Sequence, residues 1–259
     1  MRSPLPLPPL IASGDFSPDG HGVHAFDPVT NRVPTLAGFE GIRLLPEFLT
    51  SDEAETLATR LRGAPFVPSQ SGREKCHYGP RANFNRRRVN TDRFEGLPDY
   101  AFEIEARLRE RAAATFAPAD PVHQALATFV ATDAFVLRYD PARSSNLDFH
   151  LDDEFAYGEL ILDLSLESDA TLTFYRGRPE GEVDDPPGVP PACVRVPIPE
   201  RSLALVFGDA RHAWEHALLA PDVSGPRTSI TLRTISPILA GRPEGREILE
   251  RAKRRIDPD

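Results

Sequence analysis

The chain has 259 residues, 40% of them hydrophobic, and 30 Lys and Arg against 39 Asp and Glu give it a net charge of −9. That length fits one sizeable domain, or a domain with an arm, and the apolar fraction is enough for a real core. The acidic balance argues against a surface built as a whole to hold nucleic acid, though it leaves room for a local basic patch.

Residues 1–38 carry many Pro and Gly without periodicity, which predicts an arm or irregular cover. Residues 39–259 are predicted to form a single domain. Residues 41–45 look like a short strand. A helix follows, with Thr50 or Ser51 as its cap, acids in its first turn, and Ala54, Leu57, Ala58 and Leu61 at helical spacing. Residues 66–97 read as a basic loop. Pro98 opens a second helix to about Ala113.

From Leu126 the texture changes to short β-prone runs at 129–139, 160–166, 171–175, 193–198 and 203–207. Residues 177–192, rich in Gly, Pro and acids, predict a loop. A last helix is expected over 244–255. The fold class is therefore mainly β with flanking helices, an α+β arrangement in which helices support a jelly-roll double sheet.

Cys76 and Cys193, the chain's two cysteines, make neither a disulfide framework nor a cysteine-based zinc site and read as reduced thiols. No apolar run approaches the ~20 residues of a membrane helix. Residues 1–9 are too proline-rich for the apolar part of a signal peptide. The expectation is a soluble protein of the cytoplasm, the nucleus or both, with no membrane partner.

Three features carry chemistry. His150 and Asp152 are two apart, so on a strand they point the same way while Asp153 points away. Two His and one carboxylate with open coordination positions are a ligand set for Fe(II) oxygenases. The third ligand is left open by spacing, since His212 and His216 share a parity; His123 lies before the pair. Finally, Arg227 and Arg233 flank Ser229 and Thr231 on one polar face, with Thr228, Ile230 and Leu232 on the other. Six residues of strand span ~20 Å. Two arginines leaning inward over that length suit a small dicarboxylate, because a guanidinium pairs both oxygens of a carboxylate. Each feature alone is more simply a solvated or core side chain; their order along one chain gives them weight.

Together these residues resemble the AlkB family of Fe(II)- and 2-oxoglutarate-dependent dioxygenases, whose pattern is His-x-Asp, a distal His and two Arg six apart. The chain looks most like the subgroup of the fourth eukaryotic homologue, through Pro68-Ser69-Gln70-Ser71-Gly72-Arg73, Tyr78-Gly79-Pro80, Asn83-Phe84 and Ala210-Arg211-His212-Ala213-Trp214-Glu215-His216. The resemblance spans roughly residues 39–236. It implies a double-stranded β-helix core, with Fe(II), 2-oxoglutarate and O2 as cofactor and co-substrates. It implies metal ligands His150, Asp152 and His216, with His212 beside the pocket. It implies that Arg227 meets the distal carboxylate of 2-oxoglutarate, that Arg233 lies near the metal-side carboxylate, and that Tyr139 hydrogen-bonds the co-substrate. Leu137 stands where many members carry a co-substrate asparagine. The cysteine-rich N-terminal stretch of the animal subgroup has no counterpart here.

In the family, the region matching residues 66–97 is a substrate lid. That makes Arg73, Tyr78, Asn83, Phe84, Asp153 and His212 candidate substrate contacts. The basic and aromatic residues of this segment suit phosphates and stacked bases, and equally an acidic protein surface. For the subgroup, the implied substrates are a methylated lysine on actin and N6-methyladenine in DNA. The whole-chain acidity favours an oxidative demethylase of methylated protein lysine, with nucleic acid as the alternative. A catalytically silent binding module that kept the fold is a further alternative, supported by Leu137.

Overall fold

The Thr50 hydroxyl accepts the Glu53 amide at 3.3 Å, and the Glu53 carboxylate accepts the Thr50 amide at 2.8 Å, which closes a capping box at the start of the first helix. A cap of this kind stabilises a helix by about 1 kcal/mol. The structure is a computed structural model that describes residues 23–176 and 192–257. In chain order, β1 (Val23–Ala25) and β2 (Ile42–Leu45) precede α1 (Ser51–Arg62). Next come β3 (Val67–Pro68), β4 (Glu74–Tyr78), β5 (Arg81–Asn83), β6 (Arg88–Asn90) and β7 (Leu97–Pro98), then α2 (Asp99–Thr115) and α3 (Val122–Ala127). The strands β8 (Asp133–Tyr139), β9 (Leu147–His150), β10 (Tyr157–Leu166), β11 (Ala170–Arg176), β12 (Ala192–Ile198) and β13 (Leu203–Val206) follow. After them come α4 (Gly208–His212), β14 (Glu215–Leu218), β15 (Arg227–Ile235), α5 (Pro237–Ala240), α6 (Pro243–Ala252) and β16 (Arg255–Ile256).

Two sheets carry the fold. The larger runs β2-β13-β10-β15-β8-β4-β3 and the smaller β1-β12-β11-β14-β9. This is the mainly β jelly-roll class, with helices on its flank. Alternation of side chains along a strand sorts the larger sheet into two faces. Val136, Leu162, Leu164, Ile230 and Leu232 pack outward with Leu61 of α1 and Ile104 and Leu108 of α2. Leu137, Tyr139 and Ile161 pack inward with Leu172, Phe174 and Val194 of the smaller sheet. Each fully buried leucine contributes roughly 1.5–3 kcal/mol. The helix-covered face thus anchors the sheet, and the inner face is left free to carry polar side chains.

Two expectations are corrected. Residues 66–97 are not simply a loop: β4 pairs with β8 in the larger sheet, and β5 with β6 in a hairpin. Only Cys76 of β4 is fully buried, so the strand is held by its partner's register and carries little hydrophobic signal of its own. Within residues 1–38, β1 pairs in parallel with β12, and Phe26 and Val33 join the core between the sheets. The loop expected over 177–192 lies outside the described residues, apart from Ala192, which opens β12. Among the described residues no helix is long and apolar enough to cross a membrane.

Candidate active site

Strand register builds the site row by row on the inner face of the larger sheet. Leu137 of β8 lies between Lys75 of β4 and Ser229 of β15, and Ser229 pairs onward with Ser165 of β10. The next row is His77, Phe135, Thr231 and Asp163. Tyr139 pairs with Arg227 at one end, and Asp133 with Arg233 at the other. Of these residues Lys75, Leu137, Ser229, Phe135, Thr231, Asp163, Tyr139, Arg227 and Arg233 form one wall of a cavity of about 690 Å³ between the sheets. A second, wider hollow shares Lys75, Phe84, Phe135, His150, Asp152 and Arg233 with it and opens outward past them.

His150 and His216 stand at the junction, directly opposite one another across β9 and β14, with ring centroids 4.3 Å apart. Asp152 lies just past the end of β9, and its carboxylate Oδ2 is 3.6 Å from His216 Nε2. One potential ligand atom from each of the three falls within 4.8 Å of the others. Asp152 Oδ2 and His216 Nδ1 are buried and have no hydrogen-bond partner among the described residues. His150 Nδ1 donates to the Asp148 carbonyl at 2.9 Å, so its Nε2 is the nitrogen left to meet a metal. Burial, with His150 alongside, lowers His216 to about 3, so it is a neutral imidazole at ordinary pH. Two imidazoles and a carboxylate with unsatisfied atoms fit Fe(II).

Arg233 organises this end. Its Nε forms an ion pair with Asp152 Oδ1 at 2.9 Å, and its Nη1 donates to Asp133 Oδ1 at 3.2 Å. His77 Nε2 donates to the other oxygen of Asp133 at 2.5 Å. Burial alone would push the Asp152 carboxyl up; Arg233, then His216 and His150, hold it well below the usual carboxylate range. Arg227 sits at the far end, with Nε donating to Ser165 Oγ at 3.2 Å and Nη2 to Asp163 at 3.1 Å, and its guanidinium 5.3 Å from the centre of the Tyr139 ring. Burial raises the Tyr139 hydroxyl pKa, so it stays a proton donor.

No protein-family model matches the chain. The Homo sapiens protein named alpha-ketoglutarate-dependent dioxygenase alkB homolog 4 is 31% identical over 217 residues, covering 76% of this chain and 68% of the human protein. This chain belongs to the AlkB family. It is most like that fourth homologue, whose Mus musculus form is 28% identical over 76% of this chain and 68% of its own length. A Caenorhabditis elegans protein named DNA N6-methyl adenine demethylase is 26% identical over 82% of this chain and 65% of its own length. The solved structure of OsALKBH1 superposes with a TM-score of 0.51 at 15% identity, over 76% of this chain and 100% of that one, and so shares its fold. As an AlkB-family enzyme, the chain is a 2-oxoglutarate-dependent dioxygenase that uses Fe(II), 2-oxoglutarate and O2.

Against this family background, the remaining candidates separate by position. Tyr78, Phe84 and Asp153 line the outer hollow, and Phe84 is exposed beside Tyr157. Arg73 is not on the outer lid; it is buried and lines the deep cavity. Asn83 is exposed and its side-chain oxygen accepts the Arg86 amide at 3.0 Å, so it shapes the hairpin turn and lines neither hollow. His212 is a correction. It ends α4, not a strand, and its two nitrogens meet Glu154 at 2.7 Å and Glu159 at 2.8 Å, outside both hollows. The parity argument that made it an equal of His216 therefore has no basis. Asp163 and Lys75 were missed as wall residues, and Asp133 as the partner of Arg233. Asp163 left a signal: it interrupts a leucine-rich run at the same parity as Ser165.

Proposed function

We propose that this chain is an oxidative N-demethylase of methylated lysine on a protein such as actin. The supporting observation is the outer hollow, where Asp153 and Glu154 lie with Phe84, Phe135 and Tyr157 beside His150 and Asp152. Carboxylates and aromatic faces both attract a methylated ammonium. In this reading His150, Asp152 and His216 hold Fe(II), and the deep cavity holds 2-oxoglutarate, with Arg227 and Tyr139 toward its distal carboxylate. Iron and 2-oxoglutarate supply the activation of O2 that oxidises a methyl C–H bond, leaving succinate and CO2. The protein's part is to place and shield these groups. Arg233 keeps Asp152 anionic and aimed, burial keeps His216 neutral, and the hollow presents the methyl group. The resulting hydroxymethylamine breaks down to formaldehyde and the demethylated amine.

A second reading, N6-methyladenine, is favoured by Arg81 and Arg87 on the same hollow and by the name of the Caenorhabditis elegans relative. Formaldehyde release from methyl-lysine actin and from an N6-methyladenine oligonucleotide, each at low and moderate salt, separates the two. The proposal expects formaldehyde with actin and little dependence on salt. Release from the oligonucleotide alone, falling steeply with salt as phosphate contacts require, would replace it with the second reading.

A further inference from the structure

The wall of the deep cavity carries more positive charge than its carboxylates answer. Arg227 is paired with Asp163 at 3.1 Å, and Arg233 with Asp152 at 2.9 Å and Asp133 at 3.2 Å. Arg73 and Lys75 line the same cavity, and neither has an ion-pair partner among the described residues. Arg73 is the more constrained of the two. It is only 7% exposed, and its Nε donates to the Gln70 carbonyl at 3.1 Å. It stands one residue before β4, where Glu74 faces Arg138, so continuing the register sets Arg73 beside Tyr139 and, across β8, in line with Arg227. A guanidinium cannot shed its proton, and burying one without a counter-charge is strongly unfavourable. The fold therefore holds a cation in place for an anion that the described residues do not supply.

We propose that Arg73 is a specificity-determining residue for the co-substrate: with Arg227 already neutralised by Asp163, Arg73 supplies the net positive charge that selects a 2-oxo acid bearing a distal carboxylate. This rests on the reading of the deep cavity as the 2-oxoglutarate site.

The test is calorimetric binding to the Mn(II)-loaded protein without O2. The ligands are 2-oxoglutarate and 2-oxopentanoate, in which a methyl replaces the distal carboxylate. Wild type should prefer 2-oxoglutarate. Arg73→Gln should weaken 2-oxoglutarate roughly 30-fold or more, the range for truncating one partner of a buried charge pair, and leave 2-oxopentanoate and Mn(II) affinity nearly unchanged. Arg73→Lys should keep most of the preference. In turnover, Arg73→Gln should raise KM for 2-oxoglutarate and spare kcat at saturation. The proposal is overturned if Arg73→Gln keeps the preference, weakens both acids alike, loses Mn(II) as well, or if Lys75→Met is the variant that abolishes discrimination. A wild type that binds Mn(II) but neither acid would instead overturn the reading of the cavity itself.

Discussion

Asp152→Ala is expected to lose Fe(II) binding by well over the ~10- to 100-fold that removal of an outer-shell partner costs a metal site, and to lose 2-oxoglutarate turnover with it. The carboxylate is the one anionic donor of the triad, and the variant leaves only two imidazoles. The fold should survive. The Arg211 guanidinium donates to the backbone carbonyl of Asp152 at 2.7 Å, a bond the substitution keeps, and Arg233 retains Asp133. Anaerobic Fe(II) titration beside a thermal melt checks both halves. Unchanged iron affinity in a folded variant would remove Asp152 from the metal site.

Arg233→Met should cost stability even without metal. Asp133 and Asp152 are 1% and 6% exposed, and the variant leaves both facing a side chain with no charge, although His77 still touches Asp133. Breaking a buried pair from one side costs about 3–5 kcal/mol, which for a chain of this size lowers Tm by roughly 10 °C. The pH dependence carries the diagnosis. In wild type the folded-state pKa of Asp152 is depressed, so its contribution is present above the ordinary carboxylate pKa and is lost as pH falls toward the folded value. Without Arg233, burial dominates and raises the carboxyl instead. The gap in Tm between wild type and variant should therefore narrow as pH falls from 7 through the mildly acidic range. A gap that stays constant with pH would mean that Arg233 stabilises through packing alone.

How much of this was legible in the sequence varies by element, for physical reasons. Thr50 and Glu53 specify the start of α1 locally, and the structure forms that capping box. The alternation along β15 was plain from Arg227 to Arg233, and its polar face lines the cavity as a dicarboxylate site requires. His212 shows the limit of such reasoning. Its segment has strand parity, yet α4 forms because Gly208 adopts a left-handed φ of +54° and its amide donates to the Glu159 carboxylate at 2.7 Å. Both are tertiary circumstances with no local signature. β4 was missed for a similar reason: Lys75 and His77 look like solvated loop residues until pairing with β8 sets both beside the outer hollow. The Asp133–Arg233–Asp152 chain joins residues up to 100 positions apart, drawn from β8, β15 and the stretch just after β9. Only the fold can bring it together.

A His150, Asp152 and His216 cluster that holds Fe(II) should couple oxidation of a methyl group to consumption of 2-oxoglutarate. The measurement is to load the protein anaerobically with Fe(II), 2-oxoglutarate and methyl-lysine actin, admit O2, and follow succinate and formaldehyde together. Wild type should give both products, rising in step, and Asp152→Ala neither. Iron and 2-oxoglutarate bound, with O2 admitted and no succinate formed with methyl-lysine actin or any other methylated substrate offered, would contradict that coupling.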